Sequence, residues 1–248
     1  SEKKNLRGSQ VQTSTPSYES STYIPNWATY YGYDVSQVPL DALTSINYAF
    51  IQIGNCAPPY SEGVCNEGAY ATGEQNYQKV YATDPWSDFN TVPAGYNLAG
   101  ETNGLANMGG VINLMHGQNK PAMVSLGGYT LSSPINEAIK PENRDGFVTG
   151  VLDFLETVAN DNDGVTFDGL DLDWEPHNDN GTPWAFLDES GAADTLQNML
   201  DTAPLLKAGL QAQYGADFLL TAAWPASPTV ITKAEEVLPG FWQQWLNQ

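Results

Sequence analysis

The chain has 248 residues and carries 29 acidic side chains against nine Lys and Arg, a formal net charge of −20. So acidic a surface repels phosphate backbones and anionic lipid, which argues against nucleic-acid or membrane-surface binding, and no apolar run is long enough to span a bilayer. Thirteen Tyr, seven Trp and eight Phe in a domain of this size offer aromatic faces that can lie against a neutral polysaccharide, although most aromatics pack in cores.

Residues 1–21 are rich in Ser, Thr and Gln without apolar periodicity and read as a flexible tail or linker. Residues 22–31 follow as a first strand with its loop, and Leu43–Ile53, dense in Ile, Tyr and Phe, as a second. The long stretch from about 54 to 102 contains Tyr60, Tyr70, Tyr77, Tyr81, Trp86, Phe89 and Tyr96 and has no regular pattern. A loop of this length is uncommon unless it is functional, so it reads either as one wall of a substrate cleft or as a packed excursion. Within it, Cys56 and Cys65 bracket a short loop, which suggests a disulfide and an oxidising, extracellular compartment. A zinc site would need two further ligands, and His116 and His177 lie far away in sequence. No signal peptide is present, but a secreted protein would already have lost it.

A helix near Leu105–His116 leads into a third strand, Ala122–Leu126. From Pro141 to Asn160, Phe147, Val151 and Leu155 recur at i, i+4 with Val148, Leu152 and Val158 alongside, an amphipathic helix with Pro near its first turn. Ala192–Gln213 is a second helical pattern with an expected kink at Pro204, and Phe218–Ala223 is a fifth strand. Strands alternating with helices predict a parallel sheet and a (β/α)8 barrel, whose chemistry sits at the strand C-terminal ends.

The fourth strand organises the rest. Thr166-Phe-Asp-Gly-Leu-Asp-Leu-Asp-Trp-Glu175 alternates Leu170, Leu172 and Trp174 with Asp171, Asp173 and Glu175. In a strand the three carboxylates share one face, roughly 6.6 Å apart along it, and such neighbours disfavour one another's ionisation, so a proton is held among them near neutral pH. A solvated acidic strand or a calcium loop is the alternative. The apolar opposite face marks a buried strand, however, and no twelve-residue loop ending in Glu fits the calcium pattern.

Asp168-Gly-Leu-Asp171-Leu-Asp173-Trp-Glu175 resembles the Asp-Gly-x-Asp-x-Asp-x-Glu signature of family-18 glycoside hydrolases, which include chitinases and some endo-N-acetylglucosaminidases. Tyr48-Ala49-Phe50, Ser125-Leu126-Gly127-Gly128 and Thr221-Ala222-Ala223 resemble the family's second, third and fifth barrel strands. Asp84-Pro85-Trp86-Ser87-Asp88-Phe89 and Gly128-Tyr129-Thr130-Leu131-Ser132 are most similar to bacterial exochitinases of the chitinase A kind. The likeness runs from residue 22 to 248 and implies a retaining hydrolase of β-1,4-linked N-acetylglucosamine, chitin or chitooligosaccharides, that needs no cofactor and no metal.

By the same resemblance, Glu175 is the general acid, the substrate's own 2-acetamido oxygen attacks the anomeric carbon, Asp173 orients that group, and Asp171 tunes Asp173 by sharing a proton. Phe50, Ser125, Gly127, Gly128, Tyr129, Trp174 and Trp224 are the implied substrate contacts, with ordinary packing an open alternative for Tyr129 and Trp224, and Asp168 is expected to brace the start of the strand. Pro176 stands where many chitinases carry an aromatic residue. The family's sixth-strand Met-x-Tyr-Asp and eighth-strand Trp have no counterpart, so residues 22–248 read as the first five-eighths of the barrel, completed by a second chain or a further C-terminal segment. An endo-N-acetylglucosaminidase and a non-hydrolytic sugar-binding protein are the competing functions.

Overall fold

A computed structural model describes residues 19–33, 35–54, 76–91, 107–176 and 184–247. Five strands run parallel: β1 (Ser21–Pro25), β2 (Ser45–Ile53), β4 (Ala122–Gly127), β5 (Gly169–Asp173) and β6 (Leu219–Ala223). They lie side by side in chain order, and the short β3 (Val80–Ala82) pairs antiparallel to the end of β2. The helices are α1 (Pro85–Asp88), α2 (Met108–His116), α3 (Ser133–Ala138), α4 (Pro141–Asp161), α5 (Ala192–Tyr214), α6 (Pro228–Val237) and α7 (Phe241–Leu246). A 3-10 turn, Asn26–Tyr31, leaves β1. α5 is continuous with Pro204 inside it.

The alternation of β5 decides what each face of the sheet does. Leu170, Leu172 and Trp174 are at most 1% exposed and pack into the helix layer, while Asp171 and Asp173 take the other face. Burying one such apolar side chain contributes about 1.5–3 kcal/mol. A slip of one residue in register would exchange the faces and drive the acids into the helices, so the apolar residues fix the register that presents the acids. The helix layer comes from the stripe Phe147, Val151, Phe154, Leu155 and Val158 of α4, which packs beside α5.

Two glycines of α4 explain how part of the long insertion is held. A Cβ at Gly146 would meet the Gln78 side chain, and one at Gly150 would collide with the Gln78 carbonyl oxygen. Only a bare backbone lets residues 78–79 cross the helix here. The rest of the expected cleft wall, residues 55–75 and 92–102, lies outside the described residues, as do Cys56, Cys65 and His177.

Sequence reading placed no element at β3, α1, α3, α6 or α7. β3 is a three-residue strand inside a loop, too short for a period to register. α6 begins with Pro228 at its first turn, a start signal that the sequence reading, which ended at the fifth strand, did not use.

Candidate active site

The inward face of the sheet carries polar side chains from neighbouring strands at matched register. Ala49, Ser125, Asp171 and Thr221 lie abreast in register on β2, β4, β5 and β6. Three hydroxyls converge on Asp171: Tyr23 and Ser125 donate to its Oδ2, each at 2.9 Å, and Thr221 donates to Oδ1 at 2.7 Å. Asp171 is 3% exposed, so these bonds hold the carboxyl in place where water cannot compete for it.

One step further along β5, Asp173 is 6% exposed, and its side chain hydrogen-bonds with that of Glu175. Burial, then the charges of Glu175 and Asp171, then the bond to Glu175, push the Asp173 carboxyl up to about 7. Asp173 is therefore the member of the acidic ladder that keeps its proton toward neutral pH. Asp171, expected to share that proton, acts on Asp173 through its charge, and its own oxygens accept the three hydroxyls.

The loop after β4 positions Glu175. Gly128 N–H donates to the Asp173 carbonyl at 2.8 Å, the buried Ser132 Oγ bridges the carbonyls of Gly128 and Asp173, and Ser132 Oγ accepts the Glu175 N–H at 2.8 Å. Both glycines are required. Gly127 (φ +107°) lies against the Asp173 carbonyl, and a Cβ on Gly128 (φ +83°) would sit 2.8 Å from the Phe50 ring. Phe50 lies 6.2 Å from both Tyr23 and Trp27, ring centre to ring centre, and forms an aromatic rim with them.

The remaining expected site residues divide. Tyr129 is 45% exposed at the C-terminal end of β4, on the side of the acids. Ser125, Gly127 and Gly128 are buried and act on the site through Asp171, Asp173 and Phe50. Trp174, expected to contact substrate, is 1% exposed on the helix side, where its indole N–H donates to Asn136 at 2.8 Å. Trp224 packs with it against Trp184, Phe241, Trp242 and Trp245. Both belong to an aromatic core cluster, because the alternation that turns the acids inward turns Trp174 outward.

Asp168 braces the start of the strand as expected: its Oδ2 accepts from the Ala122 N–H and from His116 Nε2, each at 2.8 Å. It lies at the opposite strand end from Glu175, in a hollow shared with Lys120 and Asp217. A cavity of about 410 Å³ beside β1, lined by Tyr23, Trp27, Tyr31 and Tyr33, has none of the β5 acids in its wall. The other strongly buried acid, Asp88, accepts from Asn26, Tyr48 and the Asp84 N–H, and burial raises its carboxyl to about 7. Among the described residues no group of three His, Cys, Asp or Glu could hold a metal ion, and no helix is long and apolar enough to cross a membrane.

Tyr23, Asn47, Ser132 and Thr221 lie at the site, and sequence reasoning gave none of them a role there, quoting Ser132 and Thr221 only within longer stretches. The available signal was a lone polar side chain inside an apolar strand, as in Ser-Ile-Asn47-Tyr and Leu-Leu-Thr221-Ala.

The sequence profile of Glycosyl hydrolases family 18 matches residues 19–245. The chain is 29% identical over 250 residues to Chitinase A1 of Niallia circulans, covering 93% of this chain and 33% of that protein. It is 28% identical over 226 residues to Chitinase A of Pseudoalteromonas piscicida, covering 84% of this chain and 25% of that protein. The chain thus spans a quarter to a third of the length of these relatives. The solved structure of Chitinase ChiA74 from Bacillus thuringiensis superposes with a TM-score of 0.61 at 22% identity, over 89% of this chain and 38% of that one. That likeness is one of fold, and it places the parallel sheet and its helices within an α/β barrel.

Proposed function

The chain belongs to glycosyl hydrolase family 18, and from that premise we propose that it takes part in hydrolysing β-1,4-linked N-acetylglucosamine polymers with retention at the anomeric carbon. The observation that carries this reading is the Asp173–Glu175 pair. A carboxyl that keeps its proton up to about pH 7 lies in hydrogen-bond contact with a partly exposed carboxyl at the C-terminal end of the strand.

In this reading the Asp173 proton passes to Glu175 and from there to the glycosidic oxygen as the bond to the leaving sugar breaks, which leaves Asp173 ionised. The substrate's 2-acetamido oxygen closes on the anomeric carbon to form a cyclic oxazolinium ion. Asp173 turns toward the acetamido N–H and balances the positive charge. Water then attacks the anomeric carbon, giving its proton to Glu175 and regenerating the acetamido group. The enzyme supplies no second nucleophile, unlike the usual retaining pair of carboxylates. Asp171, fixed by Tyr23, Ser125 and Thr221, lies one step before Asp173 on the same face of the strand. Phe50 and Tyr129 offer aromatic faces to the sugar chain.

Chitin as the polymer is supported by relatives named as chitinases. We place the protein outside the cell, on the reading that Cys56 and Cys65 form a disulfide. The test is an assay of chitin oligomers against a high-mannose glycoprotein, with Glu175→Gln as control. The oligomers alone should be cleaved, and the variant should lose roughly 10²–10⁴-fold in rate with binding retained. Release of the glycan alone would mark an endo-N-acetylglucosaminidase. Binding without cleavage would mark a sugar-binding protein.

A further inference from the structure

We propose that Asp88 is a positioning residue for the aromatic rim: its buried carboxyl ties the turn that carries Trp27 to the segment that holds the backbone of Phe50. The inference deepens the proposed function, since it rests on the rim receiving the sugar chain.

Asp88 ends α1, is fully buried and accepts from three segments of the chain. Asn26 Nδ2 donates to its Oδ1 at 3.0 Å and the Tyr48 hydroxyl at 2.8 Å, and the Asp84 N–H donates to its Oδ2 at 2.9 Å. Asn26 opens the 3-10 turn that carries Trp27. The same Nδ2 also donates to Thr83 Oγ1 at 2.7 Å, and the Thr83 hydroxyl donates to the Phe50 carbonyl at 2.8 Å. Hydrogen bonds thus run without a break from Asp88 through Asn26 and Thr83 to the backbone of Phe50.

Phe50 needs such a hold. Ala49 pairs with Ser125 and Ile51 with Leu126, so Phe50 is the extra residue of an irregularity in β2, and a bulge re-aims a side chain. Its ring lies against Gly128, in the loop that positions Glu175, and 6.2 Å from the Trp27 ring. Thr83 fixes the same residue from its backbone. Asp88 is held in place against the cost of burial, which raises its carboxyl to about 7. An apolar side chain would fill the space without that cost and would join none of the three segments. Two accepting oxygens are required, because an amide at this position turns its NH2 toward either the Asp84 N–H or the Asn26 amide.

The test measures steady-state kinetics on chitin oligomers and urea midpoints in the wild type, Asp88→Asn, Thr83→Val, their double variant and Tyr48→Phe, and follows the Phe50 ring by 13C NMR. Asp88→Asn and Thr83→Val should each raise KM roughly 2–10-fold, the scale of one aromatic contact, with kcat little changed. The double variant should raise it no further than the stronger single variant, because both cut one chain of bonds. Tyr48→Phe takes a donor from the same carboxylate and leaves that chain whole, so it should lower the urea midpoint with KM unchanged. Thr83→Val decides the matter should Asp88→Asn not fold. An unchanged KM in either folded variant, multiplied effects in the double variant, or an equal rise in KM in Tyr48→Phe would overturn the proposal. If the wild type leaves chitin oligomers uncleaved, the functional reading fails, and the Phe50 ring signals decide the role of Asp88. They should move in Asp88→Asn and in Asn26→Ala, and unmoved signals would overturn it.

Discussion

The backbone N–H of Glu175 donates to Ser132 Oγ at 2.8 Å, and this one hydroxyl joins the end of β5 to the loop that leaves β4. Ser132 is fully buried and also bridges the carbonyls of Gly128 and Asp173, so the direction of the chain at Glu175 is set from outside its own strand. Ser132→Ala leaves buried backbone groups unpaired, at about 1–3 kcal/mol. It should also lower kcat more than it raises KM, since a displacement of about 1 Å at an acting group costs up to 10²-fold. Unfolding midpoints together with steady-state kinetics check both, and an unchanged kcat would show that Ser132 does not position Glu175.

Asp173 makes stability depend on pH with a defined sign. Its carboxyl lies at about 7 in the folded chain against an ordinary value of 3.8. The folded state therefore keeps a proton that the unfolded state releases, and this contribution is complete below the unfolded value and is lost as pH rises through about 7. Asp173→Asn imitates the protonated form and should flatten part of that fall, at roughly 1.4 kcal/mol per pKa unit. Part of the slope should remain, because Asp88 is raised in the same direction. Urea midpoints between pH 4 and 8 that fall as steeply in the variant as in the wild type would contradict this.

Trp174 and Tyr129 should separate packing from binding. Trp174→Phe loses a buried indole bond to Asn136 and contacts with Trp184 and Trp224, so it should lower stability by about 1–3 kcal/mol and leave KM unchanged. Tyr129→Ala, at an exposed ring, should raise KM for oligomers while stability stays within about 0.5 kcal/mol. The reverse pattern in either variant would reverse the assignment.

Much of this site was legible because β5 carries its meaning in a period of two. The acids could be assigned to one face and the Leu residues to the other from spacing alone, and the same alternation already set Trp174 opposite the acids. The stripe on α4 was equally plain. What spacing could not give is which side chains meet across strands. Tyr23 and Asp171 are 148 positions apart, and their contact depends on strand order and register. Ser132 was invisible for a similar reason, since its partners are carbonyls and an N–H whose meeting depends on two positive-φ glycines. The raised Asp173 carboxyl also needed coordinates, because its first cause is burial, which spacing does not give.

The proposed pairing of Cys56 with Cys65 closes a short loop, worth about 2–3 kcal/mol in the chain-entropy model. Thiol titration of the unreduced, denatured protein should find none free, and reduction should lower the melting temperature. Two free thiols would remove both the disulfide and its support for an extracellular setting.

The central claim is that Asp173 and Glu175 direct the substrate's own acetamido group as nucleophile. The most direct measurement is 1H NMR of freshly released product from chitin oligomers, recorded before mutarotation. Two displacements at the anomeric carbon predict that the β-anomer appears first, with substrates lacking the 2-acetamido group left intact. First appearance of the α-anomer, or comparable cleavage of a substrate without that group, would contradict the account.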